Sequence, residues 1–227
     1  MKPFFLLAIV LSLAACAAER PRPLPALLTV QQEMPATGEC AAVFPLGEWQ
    51  FVHSIDFSMR DGSGGTVVGV TRLAGDTIAC ALVTVEGFTL FEAVLQKDGL
   101  LDLRRAVPPF DKPAFAQGLL EDVRAIFRAP LAHSILSGQT TDNIPVCRYA
   151  GVDGRTTDVL RTRDGCWQIR THGPDQTMER AITGSSCQEM EGALIAGRLE
   201  LEGFGPAGYT LKMTLIQAEK VNGETLP

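Results

Sequence analysis

Histidine and catalytic motifs are scarce in this chain. Only three histidines occur among 227 residues, at positions 53, 133 and 172, and no HExxH, GxSxG or P-loop pattern is present. These absences exclude the commonest signatures of metalloproteases, serine hydrolases and nucleotide-binding enzymes. No spacing of cysteine and histidine suits zinc. We therefore predict a protein that is not an enzyme and that uses neither a metal nor a cofactor.

Positive charge and long apolar runs are also limited. The chain has 20 Lys and Arg against 26 Asp and Glu, and its basic residues form no stripe, so nucleic acid is not an expected partner. Beyond the first sixteen residues, the longest stretch without a charged side chain is Ala129–Thr141. That stretch is too short and too polar to span a bilayer, which needs about 20 apolar residues.

The N-terminal segment is the most informative part that is present. Lys2 is followed by an apolar run, Phe4–Leu13, and then by two alanines and Cys16. A charged start, a short apolar stretch and small residues at the cleavage point indicate a secretory signal peptide. The residues LAAC resemble a bacterial lipobox, which implies cleavage before Cys16 and acylation of that cysteine. The alternative is an ordinary signal peptide cleaved near Ala15 or Ala18.

Lipidation predicts both a location and a division of the chain. Residues 1–15 form the signal peptide, residues 16–26 the lipidated cysteine with a proline-rich tether, and residues 27–227 a single domain. Two acyl chains already give stable membrane attachment. Ala17 rather than Asp follows the lipidated cysteine, which in enteric-type lipoproteins implies the outer membrane, with the domain facing the periplasm.

An oxidising periplasm permits disulfides. Besides Cys16, the cysteines are Cys40, Cys80, Cys147, Cys166 and Cys187. They allow two bridges and one free thiol in several arrangements. We favour Cys147 with Cys166 or Cys187, and Cys40 with Cys80. The alternative is that all five are small buried residues.

Apolar residues alternate with polar ones through the first half of the domain. Trp49–Met59 places Trp, Phe, His, Ile, Phe and Met on one face, which is the period of a half-buried strand. Short turns separate it from further predicted strands at Thr66–Leu73, Thr77–Val85, Phe88–Gln96 and Leu100–Val107. We therefore expect a five-stranded antiparallel meander, preceded by a short helix at Leu27–Glu33.

The period changes after Pro108-Pro109. Asp111 is the predicted helix N-cap, and an apolar stripe at helical spacing runs to Phe127. Leu131–Asn143 is predicted to be a loop. The pattern then returns to strands, at Pro145–Ala150, Arg155–Thr162, Cys166–Thr171, Thr177–Thr183, Ala193–Glu202 and Tyr209–Gln217, with a loop at 184–192 and a frayed tail from Val221.

One stretch of this order carries a family resemblance. Thr77–Phe127 contains TVEGFTLFEAVL followed by RRAVPPFDKPAFAQGLLEDVRAIF, which resembles the strands and helix of LolB-like lipoproteins of the LolA/LolB family. It is most similar to a LolB-like subgroup often encoded beside genes for aryl-polyene-type biosynthesis. The resemblance implies a mainly β fold with helices (α+β), namely a curved, incompletely closed antiparallel β-barrel with a helix covering its concave face.

The resemblance also implies an apolar cleft between sheet and helix. Removing apolar surface from water is worth roughly 25 cal/mol per Å², so such a cleft would accept acyl chains. The candidate lining residues are Phe51, Ile55, Phe57, Leu82, Leu90, Phe115, Leu119 and Val123. The alternative is that they are ordinary core, because a cavity differs from a core only in being incompletely filled.

In LolB-like proteins an apolar residue on a protruding loop reaches the membrane. The matching turn here offers Val85 and Phe88 as candidate membrane contacts, although ordinary strand ends are the alternative and Glu86 departs from the family pattern. The expected partners are the membrane, through the lipid anchor, a lipid or lipoprotein cargo, and a periplasmic carrier protein.

Few other polar residues suggest a site. His53 falls on an apolar strand face, either as a core histidine or as a polar group in a cavity, whereas His133 and His172 are expected to be solvated. Glu121 and Asp122 are neighbours on the helix and therefore point about 100° apart. We expect both carboxylates to lie on the solvated helix face.

Two functions fit this interpretation best. The first is an outer-membrane lipoprotein that binds a lipid or lipidated cargo in the cleft and assists its delivery to the outer membrane. The second is a non-catalytic structural or interaction lipoprotein of an envelope assembly, and a periplasmic hydrolase or isomerase is a third possibility. An apolar pocket of roughly several hundred Å³ favours the first, and a filled interior favours the second.

Overall fold

The computed structural model describes residues 23–33, 42–205 and 208–221. Within these ranges the chain forms one α-helix and one sheet of 13 strands. The predicted signal peptide, Cys16, Cys40 and the tail beyond Val221 lie outside the described residues.

The strands are numbered in chain order. Their bounds are β1 Leu28–Glu33, β2 Trp49–Met59, β3 Gly64–Ala74, β4 Thr77–Val83, β5 Thr89–Leu95, β6 Leu101–Ala106, β7 Ser134–Gln139, β8 Pro145–Ala150, β9 Thr156–Arg161, β10 Trp167–His172, β11 Met178–Met190, β12 Ala193–Gly203 and β13 Tyr209–Lys220. The helix, α1, spans Pro113–Phe127 and lies between β6 and β7 in the chain.

Every strand pairing is antiparallel, and the sheet order is β1-β7-β8-β9-β10-β11-β12-β13-β2-β3-β4-β5-β6. The predicted meander is β2 to β6, and β13 joins it to the second half of the chain by pairing with β2. Because β1 and β6 are the two edges of the sheet, the barrel is not closed. This confirms the predicted fold, a curved and open antiparallel sheet with a helix on its concave side.

The core lies between the concave face and the helix. Alternation turns Trp49 and Phe51 of β2 inward, and both are fully buried. The Phe51 ring stacks on Trp49 with centroids 5.5 Å apart and on Phe127 of α1 with centroids 4.7 Å apart. Stacked aromatic pairs of this kind stabilise by about 1 kcal/mol beyond the area they bury. The C-terminal turn of α1 is therefore packed firmly on β2.

The helix begins and ends differently from the sequence prediction. Its N-cap is Lys112, which makes no side-chain capping bond, and Pro113 occupies the first turn. The prediction of Asp111 as N-cap was wrong, because it placed the cap one residue too early. At the other end, Arg128 is the C-cap and its guanidinium donates to the carbonyl of Gly75.

Three segments predicted as helix or loop are strands. The predicted helix at Leu27–Glu33 is β1, which pairs with β7, and β7 lies inside the predicted loop Leu131–Asn143. The predicted loop at 184–192 continues β11 as far as Met190, paired with β12. Gly184 misled the prediction: a Cβ there would lie 2.9 Å from the Trp167 ring, so this glycine permits a close approach within a strand.

The favoured disulfide pairings were wrong. Cys166 and Cys187 are bonded to each other, with Cα atoms 5.5 Å apart, because β10 and β11 are neighbours in the sheet. Cys147 is also disulfide-bonded. Cys80 is a buried free thiol on β4, and burial raises its pKa to about 12. A thiol held protonated inside apolar surroundings behaves as a small core residue.

The end of the predicted tether contacts the domain. The Arg148 guanidinium of β8 donates to the carbonyl oxygen of Pro25 at 2.7 Å. The same guanidinium forms a bidentate ion pair with Asp158 of β9, with both N–O distances 2.7 Å. Bidentate pairing fixes the orientation of the arginine. The chain near Pro25 is therefore held against the sheet before it enters β1.

Candidate functional site

All eight predicted lining residues lie in or against the core. Phe51 and Leu82 are buried. The other six are half-buried and pack against the core, namely Ile55, Phe57, Leu90, Phe115, Leu119 and Val123. The structure therefore brings the predicted set together as one apolar region, which we call the cleft, between the helix and the concave face.

Two glycines of β3 leave room for side chains of β2 to pack against the β3 backbone within the cleft. A Cβ on Gly69 would be 2.6 Å from Ile55 Cδ1 and 3.6 Å from Leu82 Cδ2. A Cβ on Gly65 would be 3.4 Å from the Phe57 ring. Because glycine has no side chain, another residue can approach its backbone closely. Ile55 and Phe57 of β2 therefore pack over Gly69 and Gly65 of β3.

The helix presents two adjacent stripes to the sheet. Ala116, Leu120 and Ile126 are buried. Phe115, Leu119 and Val123, spaced by four residues, lie along one face and remain half-exposed. The Phe115 ring meets Phe110 edge to face with centroids 5.1 Å apart. The second stripe is partly buried and packs against the margin of the core.

The interior beneath the C-terminal end of the helix is nearly filled. A cavity of about 20 Å³ lies there. Its walls include Phe51, His53, Ile126, Phe127 and Trp167. That volume holds about one water molecule and no acyl chain. In this conformation the cleft is a half-exposed apolar surface, not a chamber, and a chain can enter only if side chains or the helix itself move.

A buried polar cluster joins the helix to the sheet. Asp122 of α1 is 6% exposed. Its Oδ2 accepts a hydrogen bond of 2.6 Å from the Tyr209 hydroxyl of β13, and its Oδ1 lies 2.7 Å from Arg180 Nε of β11. The Nε–H does not point straight at Oδ1, so we treat that contact as an ion pair rather than a hydrogen bond. This cluster is a polar attachment of the helix, in addition to the bond from its C-cap Arg128 to Gly75.

Burial dominates the electrostatics of the cluster. It raises the pKa of the Asp122 carboxyl, while Arg180 and Tyr209 oppose that shift. It also raises the pKa of the Tyr209 hydroxyl, with the Asp122 charge acting in the same direction. The prediction that Asp122 is solvated was wrong, whereas its neighbour Glu121 is exposed as expected. Asp122 flanks the apolar stripe at Leu119 and Ile126, a position that helical spacing could have revealed.

Two of the three histidines are buried, and His172 is the one whose burial differs from the prediction. His53 is 2% exposed and lines the small cavity, and burial lowers its pKa to about 4. His172 was expected to be solvated but is fully buried at the end of β10, and burial is the main cause of its lowered pKa. The register of β10, in which His172 faces Thr156, places it beneath neighbouring side chains. His133 is exposed as expected.

The turn between β4 and β5 carries two exposed apolar residues. Val85 is 68% exposed and Phe88 is 71% exposed. The Thr84 N–H donates to the Phe88 carbonyl at 2.9 Å, and the Gly87 N–H donates to the Thr84 carbonyl at 2.9 Å. These bonds make a short ordered turn that holds both side chains outward. Their accessibility fits the predicted membrane contact, which stays a prediction.

The described ranges contain no group of three or more His, Cys, Asp or Glu side chains arranged to hold a metal ion. Among the same residues, α1 is neither long nor apolar enough to cross a membrane. What the structure offers is therefore an apolar surface, a buried polar cluster and an apolar turn.

Comparisons with known proteins bear on the fold. No protein-family model matches the chain, and no curated protein matches it. Among solved structures, a LolA superfamily protein from Nitrosomonas europaea is similar, with a TM-score of 0.54 and 11% identity over 82% of this chain and 90% of that one. At this identity the similarity shows a shared fold, in agreement with the open sheet described above.

Two further solved structures are similar at lower scores. A domain assigned to outer membrane lipoprotein sorting, from Vibrio parahaemolyticus, has a TM-score of 0.48 and 7% identity over 82% of this chain and 90% of that one. A DUF1329 family protein from Desulfovibrio piger has a TM-score of 0.42 and 8% identity over 78% of this chain and 87% of that one.

Proposed function

We propose that this protein is an outer-membrane lipoprotein that binds a lipid or lipidated cargo in the cleft and assists its delivery to the outer membrane. The observation that carries the proposal is the half-exposed apolar stripe of α1 facing an open concave sheet. Apolar surface of this kind on a soluble domain marks a binding surface. No covalent step is required, so the protein acts as a binding protein and not as an enzyme.

Anchoring and membrane contact belong to the same proposal. Lipidation of Cys16 holds the domain at the membrane, and the short distance along the chain from Cys16 to the contact at Pro25 keeps it close. Val85 and Phe88 then touch the bilayer when cargo is passed on. The finer similarity to LolB-like lipoproteins of aryl-polyene-type gene clusters, and the exchange of cargo with a periplasmic carrier protein, are likewise proposals.

The filled interior requires that binding opens the cleft. An acyl chain does not fit a cavity of about 20 Å³, so the helix must move away from the sheet as cargo enters. Such a movement exposes the buried helix residues Ala116, Leu120 and Ile126. The acyl chain of the ligand then replaces the contacts that these side chains lose. The cost of opening is offset by burial of the acyl chain, at roughly 25 cal/mol per Å².

The same filled interior favours a second candidate function. A domain whose core is complete without a ligand can serve as a structural or interaction lipoprotein of an envelope assembly. In that case the half-exposed stripe of α1 is covered by a protein partner, and lipid does not enter the cleft. The two functions differ in whether the isolated protein takes up an acyl chain.

Uptake of a fluorescent fatty acid tests the proposal with a matched pair of variants. Leu119→Asn places an amide in the half-exposed stripe, whereas Ile216→Asn makes the same change on β13 at a residue that is 60% exposed. We expect Leu119→Asn to weaken uptake about thirtyfold, because about 2 kcal/mol of apolar contact is lost. Ile216→Asn should bind as the wild type does. Equal binding by both variants, or no uptake by the wild type, contradicts the proposal.

A further inference from the structure

A row of polar residues crosses the concave face at one end of the cleft. The register pairs Thr157 with Thr171, Thr171 with Arg180, Arg180 with Gly203 and Gly203 with Tyr209. These four polar residues and Gly203 therefore lie side by side on β9 to β13, and we call the five together the polar row. Thr157 and Thr171 are buried, with their hydroxyl oxygens 3.5 Å apart.

The next inward-facing row of the same strands is apolar. Two positions further along each strand, the paired residues are Val159, Ile169, Ile182, Leu201 and Leu211. The first four are buried, and Leu211 packs against the core. Adjacent same-face rows are about 7 Å apart, because residues i and i+2 share one face of a strand. The concave face thus changes from polar to apolar within the size of a lipid headgroup.

Arg180 and Tyr209 hold the two oxygens of one carboxylate. Arg180 Nε is 2.7 Å from Asp122 Oδ1, and the Tyr209 hydroxyl donates to Asp122 Oδ2 at 2.6 Å. Gly203 lies between the two strands that supply them, and a Cβ there would collide with the Tyr209 ring. The glycine therefore allows Tyr209 to lie across β12 toward Arg180. The sheet supplies the cation and the hydroxyl, and the helix supplies the anion.

We propose that Arg180 and Tyr209 form a binding site for the anionic head of an amphiphilic ligand, and that Asp122 occupies this site while the helix is closed. The proposal rests on the proposed function and names its ligand class: a single anionic group, phosphate or carboxylate, joined to an acyl chain. When the helix moves, the ligand head replaces Asp122 on Arg180 and Tyr209. The chain of the ligand then lies along the apolar row.

Charge balance supports the exchange. The Arg180 guanidinium is a cation whose side chain is only 20% exposed, so loss of Asp122 without a replacement leaves a largely buried cation unpaired. That state is costly. An incoming anion restores the ion pair, and a neutral head does not. The site therefore selects anionic amphiphiles because opening is cheapest when the ligand supplies the missing charge.

Binding of matched single-chain amphiphiles tests the site. The probes are dodecyl phosphate, glycerol monolaurate with a neutral head and a chain of equal length, and inorganic phosphate, all below micelle-forming concentrations and read by native mass spectrometry and calorimetry. We expect the wild type to bind dodecyl phosphate about tenfold or more tightly than glycerol monolaurate, the size of one charge-assisted hydrogen-bonded contact. Inorganic phosphate alone should not bind measurably.

Three variants assign the preference to the cluster. Asp122→Asn removes the internal anion and should increase the ratio of the two affinities. Arg180→Gln alone leaves Asp122 buried without its cation and can fail to fold, so the informative variant is the neutral double substitution Asp122→Asn with Arg180→Gln, which should abolish the preference. Arg155→Gln is the control for net charge, since Arg155 lies in an exposed pair with Glu179, and it should keep the preference.

The outcomes separate this inference from the proposed function. Equal binding of both amphiphiles by the wild type, or an unchanged preference in the double variant, overturns the anion site and leaves lipid binding standing. Binding of inorganic phosphate as tight as dodecyl phosphate overturns the requirement for an acyl chain. Failure of both amphiphiles to bind the wild type and Asp122→Asn overturns the proposed function, and the anion site falls with it.

Discussion

At the scale of single residues, the interior of this protein contains polar groups whose charge state depends on burial. His53 lies 6.2 Å from Phe51 and 6.1 Å from Phe127, measured between ring centroids. Burial lowers its pKa to about 4, so the imidazole is neutral in the folded protein at neutral pH. In the unfolded chain its pKa has the ordinary value of 6.5. Below that pH the unfolded chain therefore has to release a proton from His53 in order to fold.

The first prediction concerns this linkage. The contribution of neutral His53 to stability is complete above pH 6.5 and is lost as the pH falls toward 4, because the unfolded chain then binds a proton that the folded protein does not. Between pH 7.5 and 4.5 the loss amounts to about 2 to 3 kcal/mol. Urea unfolding at both pH values measures it, and His53→Gln should show a correspondingly smaller difference. An equal pH dependence in the variant and the wild type contradicts the assignment.

The polar residues were the hardest part of the site to predict from sequence. The apolar candidates followed from strand and helix patterns together with the cleft that the family resemblance implies, and all of them lie in or against the core. The cluster of Asp122, Arg180 and Tyr209 did not follow, because its members are far apart in the chain and meet only when the helix crosses the sheet. The sequence pattern predicted the strand that holds Tyr209, but it did not identify the carboxylate that the Tyr209 hydroxyl meets.

At the scale of elements, the helix is the part of the fold whose movement the proposed function requires. Aromatic stacking of Phe127 on Phe51 fixes its C-terminal end, and the Asp122 cluster fixes its middle. Its N-terminal turn lacks a side-chain cap and has no acidic residue, so neither a capping bond nor the helix dipole stabilises that turn. Opening should therefore begin at the N-terminal end, where Phe115 and Leu119 line the cleft.

The second prediction concerns the same helix. Gly118 lies in the interior of α1, and a Cβ added there would meet no atom within 4 Å. Gly118→Ala should stabilise the protein by about 0.5 to 1 kcal/mol, because alanine loses less backbone freedom than glycine on forming a helix. Thermal unfolding checks the change, and Gly184→Ala is its counterpart in a strand, where the new methyl group would meet the Trp167 ring. A destabilised Gly118→Ala contradicts the open surroundings described for this residue.

Sequence patterns predicted elements with strong local periodicity and missed those held by distant pairing. The bounds of β2 and β8 agree with the prediction, and α1 differs by one or two residues. In contrast β1 and β7, which are no shorter than β8, are strands because Leu28 pairs with Gln139, a residue far away in the chain. A short apolar segment has no local signal that separates a strand from one helical turn. Such elements become predictable only once the sheet order is known.

At the scale of the whole molecule, the open sheet makes the proposed binding compatible with a filled interior. Its two edges, β1 and β6, are not joined, so the concave face is closed by α1 and by core side chains rather than by further strands. A closed barrel would have to break backbone hydrogen bonds to enlarge its interior. Here the proposed displacement of the helix leaves the sheet intact, at the cost of side-chain contacts, the Asp122 cluster and the Arg128 bond to Gly75.

The anchored end of the chain adds an orientation to this picture. Arg148 holds Pro25 against β8 and β9, at the opposite side of the sheet order from the meander that carries Val85 and Phe88. If Cys16 is lipidated, the domain is tied to the membrane near one edge of the sheet.

The central claim is that the cleft under α1 opens to hold an acyl chain. Its most direct test is native mass spectrometry of the full-length protein, extracted gently from its own membranes, with lipids identified after release. The account predicts a bound species heavier than the lipidated chain alone, carrying an acyl chain that Leu119→Asn reduces and Ile216→Asn does not. A protein that leaves the membrane with no bound lipid, and that takes up none when lipid is added back, would contradict it.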